Sequence, residues 1–166
     1  SEEDELDKVA FLSFDLKANK ADLDVTDLSV TFFQSGSTAT ATTAYLYDGS
    51  TLLSTETVNS NTGVAAFTDS NKIFSVSKDS TKTLTVKADL AAITSGNAST
   101  TEGALIKIDP ASSESLGSSG LVQTGATAGV QGVRIYKAYP IFSQESLGAT
   151  GLSSGNLLRF KVTATN

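Results

Sequence analysis

The chain has 166 residues, a formal net charge of −6, and no histidine, cysteine, methionine or tryptophan. The missing histidine and cysteine exclude a Ser-His-Asp triad, a cysteine nucleophile, a disulfide and a His/Cys zinc site, so we expect no enzyme and no cofactor. Five of the 18 acids lie within residues 1–7, and the remaining chain is nearly neutral without a basic patch, which argues against a nucleic-acid partner.

The first predicted strand, residues 9–18, follows an acidic N-terminal tip at residues 1–8. Apolar and polar side chains alternate along it with a period of two, which is typical of a half-buried strand. The expected apolar face consists of Ala10, Leu12, Phe14, Leu16 and Ala18.

The second predicted strand, residues 23–33, changes parity along its length. Its apolar residues Leu23 and Val25 fall on odd positions, while Leu28 and Val30 fall on even ones. A bulge near Thr26-Asp27 would return all of them to a single buried face.

Turn signals divide the middle of the chain into further strands. Asp48-Gly49-Ser50 between two apolar runs predicts a β-hairpin, and Asp69-Ser70-Asn71 predicts a second turn. The segment 83–88 alternates cleanly, which places Leu84 and Val86 inward.

The last third of the chain is less regular. Strands are predicted at 105–108, closed by Asp109-Pro110, and then at 133–139 and 157–163, while the Gly- and Ser-rich stretch 111–132 is interpreted as a long loop or ragged edge. In total about nine short strands and no amphipathic helix are expected. This spacing predicts one all-β domain over residues 9–166, an antiparallel β-sandwich of Ig-like or jelly-roll-like type.

The first and last strands have similar sequences. Residues 11–18 align with residues 157–164, and the apolar and polar positions match along both segments. The matching apolar positions of the C-terminal strand are Leu158, Phe160, Val162 and Ala164. Such a match is expected in a polymer whose terminal strand fills an equivalent place in a neighbouring unit.

The chain also resembles a known family over most of its length. The segments that carry this resemblance are 11–18, 24–30, 45–50, 82–89, 137–142 and 158–162. They are similar to the repeated Ig-like β-sandwich domains of bacterial cell-surface, surface-layer and filament-forming proteins. The resemblance implies a structural role at the cell surface and supplies no catalytic residue.

Three further features are candidate binding or modification sites. Tyr45 and Tyr47 point to one side of a strand, as a flat sugar-binding platform or as a cross-strand aromatic pair, and the pair is the favoured interpretation. Asn97 begins an Asn-Ala-Ser sequon and is a candidate for glycosylation. Asp22, Asp24 and Asp27 lie close together but lack the spacing of a calcium loop, so solvated carboxylates are favoured over a metal site.

A structural role outside the cell accounts best for these patterns. Methionine and cysteine are oxidation liabilities there, and the absence of methionine together with an acidic start indicates a processed chain. No apolar run approaches the ~20 residues of a transmembrane helix. The leading hypothesis is a subunit that assembles with copies of itself, head to tail, by donating strand 9–18. The alternative is a carbohydrate-binding or adhesion module of a larger secreted protein.

Overall fold

A computed structural model describes residues 7–34, 41–91, 105–117, 122–124, 132–135, 139–146 and 159–165. The described residues form twelve strands, all paired antiparallel, and no helix. The predicted all-β antiparallel class is therefore confirmed, although the strands outnumber the expected nine. The described part of the chain holds no helix with the length and apolar character needed to cross a membrane.

Two compact units divide the chain, Ser1–Ile135 and Tyr136–Asn166. The strands of the first unit are β1 (Val9–Lys17), β2 (Leu23–Gln34), β3 (Ala41–Asp48), β4 (Thr51–Thr57), β5 (Val64–Thr68), β6 (Phe74–Val76), β7 (Thr81–Leu90), β8 (Leu105–Gly117), β9 (Val122–Thr124) and β10 (Val133–Arg134). The second unit contains β11 (Tyr139–Glu145) and β12 (Arg159–Thr165). The single domain expected over residues 9–166 stays a prediction, which has to accommodate this division.

The first unit is a β-sandwich. One sheet has the strand order β1-β7-β3-β4, and the other has the order β10-β8-β2-β5, with β6 also paired to β2 and β9 to β8. The inward-facing side chains of both sheets form one core, and its largest fully buried members are Phe67, Leu46, Leu84, Ile106, Ile108, Val25, Val30, Val76 and Val86. Phe11 and Phe32 connect the two sheets through an edge-to-face contact with ring centroids 5.4 Å apart.

The parity change in β2 has the predicted cause. The register between β2 and β8 shifts between Val25 and Asp27, as a bulge at this point requires. Val25 and Leu28 are consequently both buried, although they lie an odd number of residues apart. The bulge gives β2 one continuous apolar face.

The apolar face of β1 differs from the prediction at its beginning. A register shift between Ala10 and Leu12 turns Phe11 into the core, while Ala10 is exposed, so Ala10 does not belong to the buried face. Leu12, Phe14 and Leu16 do face the core, but each is only half-buried.

The two predicted turns and the strand at 83–88 are confirmed. Gly49 has a φ of 58° in the two-residue loop between β3 and β4, a left-handed conformation that glycine adopts without strain. In the second turn, the backbone N–H of Asn71 donates a hydrogen bond to Asp69 Oδ1 over 2.8 Å. Leu84 and Val86 in β7 are completely buried.

Strand β8 corrects the prediction of a strand end at Asp109-Pro110. It continues to Gly117, and β9 follows, so much of the expected loop is strand. Proline is tolerated because the pairing with β2 is irregular here: Thr31 faces Asp109, whereas Ser29 faces Glu114. Four residues of β8 lie opposite a single residue of β2, and the proline therefore interrupts no regular ladder.

The strand expected at 133–139 is also wrong. Residues Val133 and Arg134 form the short β10, which pairs with β8 in the first unit, whereas Tyr139 begins β11 in the second unit. A period-two pattern cannot reveal that the chain changes partner within it, because alternation is the same in both sheets.

Candidate functional site

The described residues place the predicted assembly positions in two different environments. The positions in β1 lie on an edge strand of the four-stranded sheet, where β1 pairs with β7. Those of β12 lie in a separate two-stranded sheet, paired with β11 over seven positions. The structure therefore does not bring the two matching strands together in one sheet.

One face of the β11–β12 hairpin is apolar and exposed. Cross-strand pairing puts Phe142 opposite Val162, and Pro140 opposite Ala164, on the same side as Phe160. Phe142 is 67% exposed, Phe160 57% and Val162 51%. The rings of Phe142 and Phe160 lie 6.3 Å apart at an angle of 48°. We call Pro140, Phe142, Phe160, Val162 and Ala164 the hairpin face.

The opposite side of the hairpin is mainly polar. Arg159 Nε lies 3.1 Å from Glu145 Oε2 in an exposed ion pair, and Lys161 lies opposite Ser143. Ile141, which is 44% exposed, is an apolar residue on this side. The hairpin is thus amphipathic, and two strands alone are too few to enclose a hydrophobic core.

The matching positions of β1 and β12 differ sharply in burial. Phe14 aligns with Phe160 and Leu16 aligns with Val162 in the two similar segments. The β1 residues pack against the sandwich core, whereas their β12 counterparts are exposed. The same apolar pattern is thus packed against a core in the first unit and exposed in the second.

Sequence reasoning missed Phe142. The apolar Ile141 between Pro140 and Phe142 obscures the alternation, and the predicted strand 133–139 ends before all three. Leu158, the first matching position of the C-terminal strand, and Asn97, the glycosylation candidate, lie outside the described residues.

Tyr45 and Tyr47 lie on the outer face of the four-stranded sheet, as their spacing predicts. Lysine side chains cover both rings: Lys8 Nζ lies 5.4 Å from the centroid of Tyr45, and Lys87 Nζ lies 4.7 Å from that of Tyr47. These cation–π contacts occupy the aromatic faces on which a sugar would stack.

Asp89 holds the Tyr45 side of this surface together. Its carboxylate accepts a hydrogen bond from the Tyr45 hydroxyl over 2.6 Å and another from the backbone N–H of Lys8 over 2.8 Å. The hydrogen bond to Asp89, followed by burial and the negative charge of Asp89, raises the pKa of Tyr45 to about 12. Tyr45 therefore acts as a donor that ties β3 to β7.

The three clustered aspartates at positions 22, 24 and 27 form hydrogen bonds with different partners. Asp22 Oδ1 accepts a hydrogen bond from the backbone N–H of Lys78 over 2.7 Å, and Asp24 Oδ1 accepts one from Ser75 Oγ over 2.5 Å. The carboxylate of Asp27 bonds to the hydroxyl of the preceding threonine. Within the ranges that the structure describes, no group of three His, Cys, Asp or Glu side chains is arranged to hold a metal ion.

Comparisons with protein-family models, with curated proteins and with solved structures return no match to the chain.

Proposed function

We propose that this chain is a structural subunit of an extracellular filament or surface layer, in which subunits join head to tail by β-strand donation. The observation that carries this proposal is the exposed hairpin face. A two-stranded hairpin is only marginally stable by itself in water, and an exposed apolar patch is typical of an interaction site. A partner that covers Phe142, Phe160 and Val162 would stabilise the hairpin and use the patch.

Composition supports the extracellular setting. The chain has no thiol or thioether to be oxidised, and 45 of its 166 residues are serine or threonine, which suit the solvent side of many strands. The donor and the acceptor are different surfaces of one subunit, so the contact is heterologous. A heterologous contact that does not close into a ring generates an open polymer.

The structure favours a different donor from the strand that the sequence suggested. Strand 9–18 is the donor in the sequence-based hypothesis, yet β1 pairs with β7 in its own chain and buries Phe11 in the core. Donating β1 would uncover that core, whereas Phe142, Phe160 and Val162 of the hairpin are already exposed. We therefore favour the C-terminal hairpin as the donor within the same head-to-tail scheme.

The carbohydrate-binding alternative has weaker geometric support. Its two tyrosines carry lysine side chains on their rings, and the Tyr45 hydroxyl already bonds to Asp89. A sugar would have to displace these contacts before stacking. We therefore keep this alternative as an outcome of the functional test.

The test is assembly of the purified full chain. We expect sedimentation velocity to show species that grow with concentration, and negative-stain microscopy to show filaments or layers. A chain that remains monomeric throughout an accessible concentration series contradicts the proposal. Retention on immobilised glycans by such a monomer would favour the carbohydrate-binding module instead.

A further inference from the structure

The exposed hairpin face and the outer edge of β1 both present apolar side chains. Resting on the proposed function, we infer that β12 of one subunit pairs antiparallel with the outer edge of β1 in the next subunit. The occupant of the hairpin face is thus a second copy of this chain, and the hairpin extends the four-stranded sheet of that copy to six strands.

The acceptor is the apolar edge of the sandwich. Within the described residues β1 pairs with β7 on one side only, so its other side offers backbone donors and acceptors for a further strand. Its inward residues Leu12 and Phe14 are half-buried, whereas Leu84 in the neighbouring β7 is fully buried. Apolar surface therefore remains at this edge for another strand to cover.

The opposite edge of the same sheet is less suitable. Strand β4 has the sequence Thr-Leu-Leu-Ser-Thr-Glu-Thr and is largely polar. A hairpin added beside β4 would bring its phenylalanines next to hydroxyl groups and to Glu56. The hairpin face therefore matches the β1 edge better than the β4 edge.

Within the hairpin, β12 is the better pairing strand. Pro140 lies in β11 and has no backbone N–H, which blunts the outer edge of that strand. Strand β12 has no proline, so each of its residues carries a backbone donor and acceptor. Strand addition depends on these main-chain groups.

Charge and side-chain pattern together define a register. Placing Phe160 opposite Phe14 brings Val162 opposite Leu12 on the inward side. The same antiparallel register places the cationic Arg159 opposite Asp15 on the outward side. Aromatic pairs and opposite charges at facing positions both stabilise a sheet, so this register suits both sides of the strand.

Disulfide trapping tests the edge and the register. The chain has no cysteine, so introduced thiols are unique. We expect Asp15→Cys subunits mixed with Arg159→Cys subunits to give a mixed disulfide dimer on oxidation, as seen on non-reducing electrophoresis. The matched control pairs Arg159→Cys with Thr55→Cys, which lies on the exposed β4 edge.

Two results of trapping would overturn the inference. One is a yield of mixed dimer from the control that equals the yield from the Asp15→Cys pair. The other is a monomer with an internal disulfide as the main product of the Asp15→Cys/Arg159→Cys double variant, because the hairpin would then pair with its own chain.

Substitution of the hairpin face separates this inference from the proposed function. We expect Phe160→Asp to raise the concentration required for assembly by more than tenfold. Ile141→Asp, on the opposite side of the hairpin, should leave that concentration unchanged. An unchanged circular dichroism melting curve of the sandwich confirms that each variant is folded. Assembly that persists in Phe160→Asp overturns the inference alone, whereas failure of the unmodified chain to assemble overturns the proposed function.

Discussion

At the scale of single residues, the outer face of the four-stranded sheet is held by side chains that lie on different strands. Asp89 in β7 accepts hydrogen bonds from Tyr45 in β3 and from the backbone of Lys8, just before β1. Thr83 Oγ1 donates to Asp15 Oδ1 over 2.6 Å and adds a second link between β1 and β7. These contacts tie β1, β3 and β7 together on the outer side of the sheet.

The pKa of Tyr45 gives a prediction at this scale. Its value of about 12, against 10.0 in the absence of interactions, means that the folded chain favours the neutral phenol. This contribution to the free energy of unfolding is complete below pH 10 and is lost as the pH rises through 12. Ultraviolet titration of tyrosinate should therefore show a step near pH 12.

Two variants assign that step. Asp89→Ala removes the acceptor, so we expect the Tyr45 step to return toward pH 10. Asp15→Ala, which removes a carboxylate that links β1 to β7 through Thr83, serves as the control and should leave the step near pH 12 in place. A step near pH 12 that survives in Asp89→Ala would show that the hydrogen bond is not its cause.

At the scale of strands, position within a sheet decides how far an amphipathic pattern is buried. Strand β7 lies between β1 and β3, and its inward residues Leu84, Val86 and Ala88 are fully buried. Strand β1, with similar alternation at the edge, is only half-covered. Strand β12, which among the described residues pairs with β11 alone, is exposed. Local pattern specifies which side faces inward, while the neighbours decide what covers it.

Leucine truncation tests this ranking by position. Leu84→Ala removes a fully buried side chain from β7 and should lower the free energy of unfolding by about 3 kcal/mol. Leu52→Ala in β4 removes a side chain that is 47% exposed and should cost less than about 1 kcal/mol. Urea denaturation of both variants gives the two values, and equal costs would contradict the assigned core.

At the scale of the whole molecule, the two units differ in how much structure they can sustain alone. The first unit encloses a core between two sheets, whereas the described residues of the second form two strands with an exposed apolar face. A sandwich of this size can be stable by several kcal/mol, while an isolated hairpin is marginal. The second unit therefore gains most from a partner.

Hydrogen exchange makes this difference measurable. In the unassembled chain we expect the amides of β12 to exchange faster than those of β7 by about 10³-fold or more, because opening a hairpin requires far less free energy than opening a core strand. In the assembled state the amides of β12 should become protected. Equal protection of β7 and β12 before assembly would contradict the marginal stability of the hairpin.

The sequence by itself determined the local features of this protein, because they depend on neighbouring residues. Alternation indicated the strands, Asp48-Gly49 marked a tight hairpin, and the parity change at Thr26-Asp27 located a bulge. The prediction for β1 was wrong at Ala10, where the strand has a second bulge. Residues 9–12 are all apolar, so no polar position marks the change of parity there.

Only the tertiary structure decided which partner each strand has. The pattern shared by residues 11–18 and 157–164 is compatible with burial in either place, yet β1 joins the sandwich and β12 joins a separate hairpin. Strand pairing is non-local, because the residues that cover an apolar face can lie anywhere along the chain or on another copy. The sequence of a strand shows only which of its faces is apolar. For this reason the pattern gives the apolar positions of β12, whereas the place of Phe142 beside them emerges only from the fold.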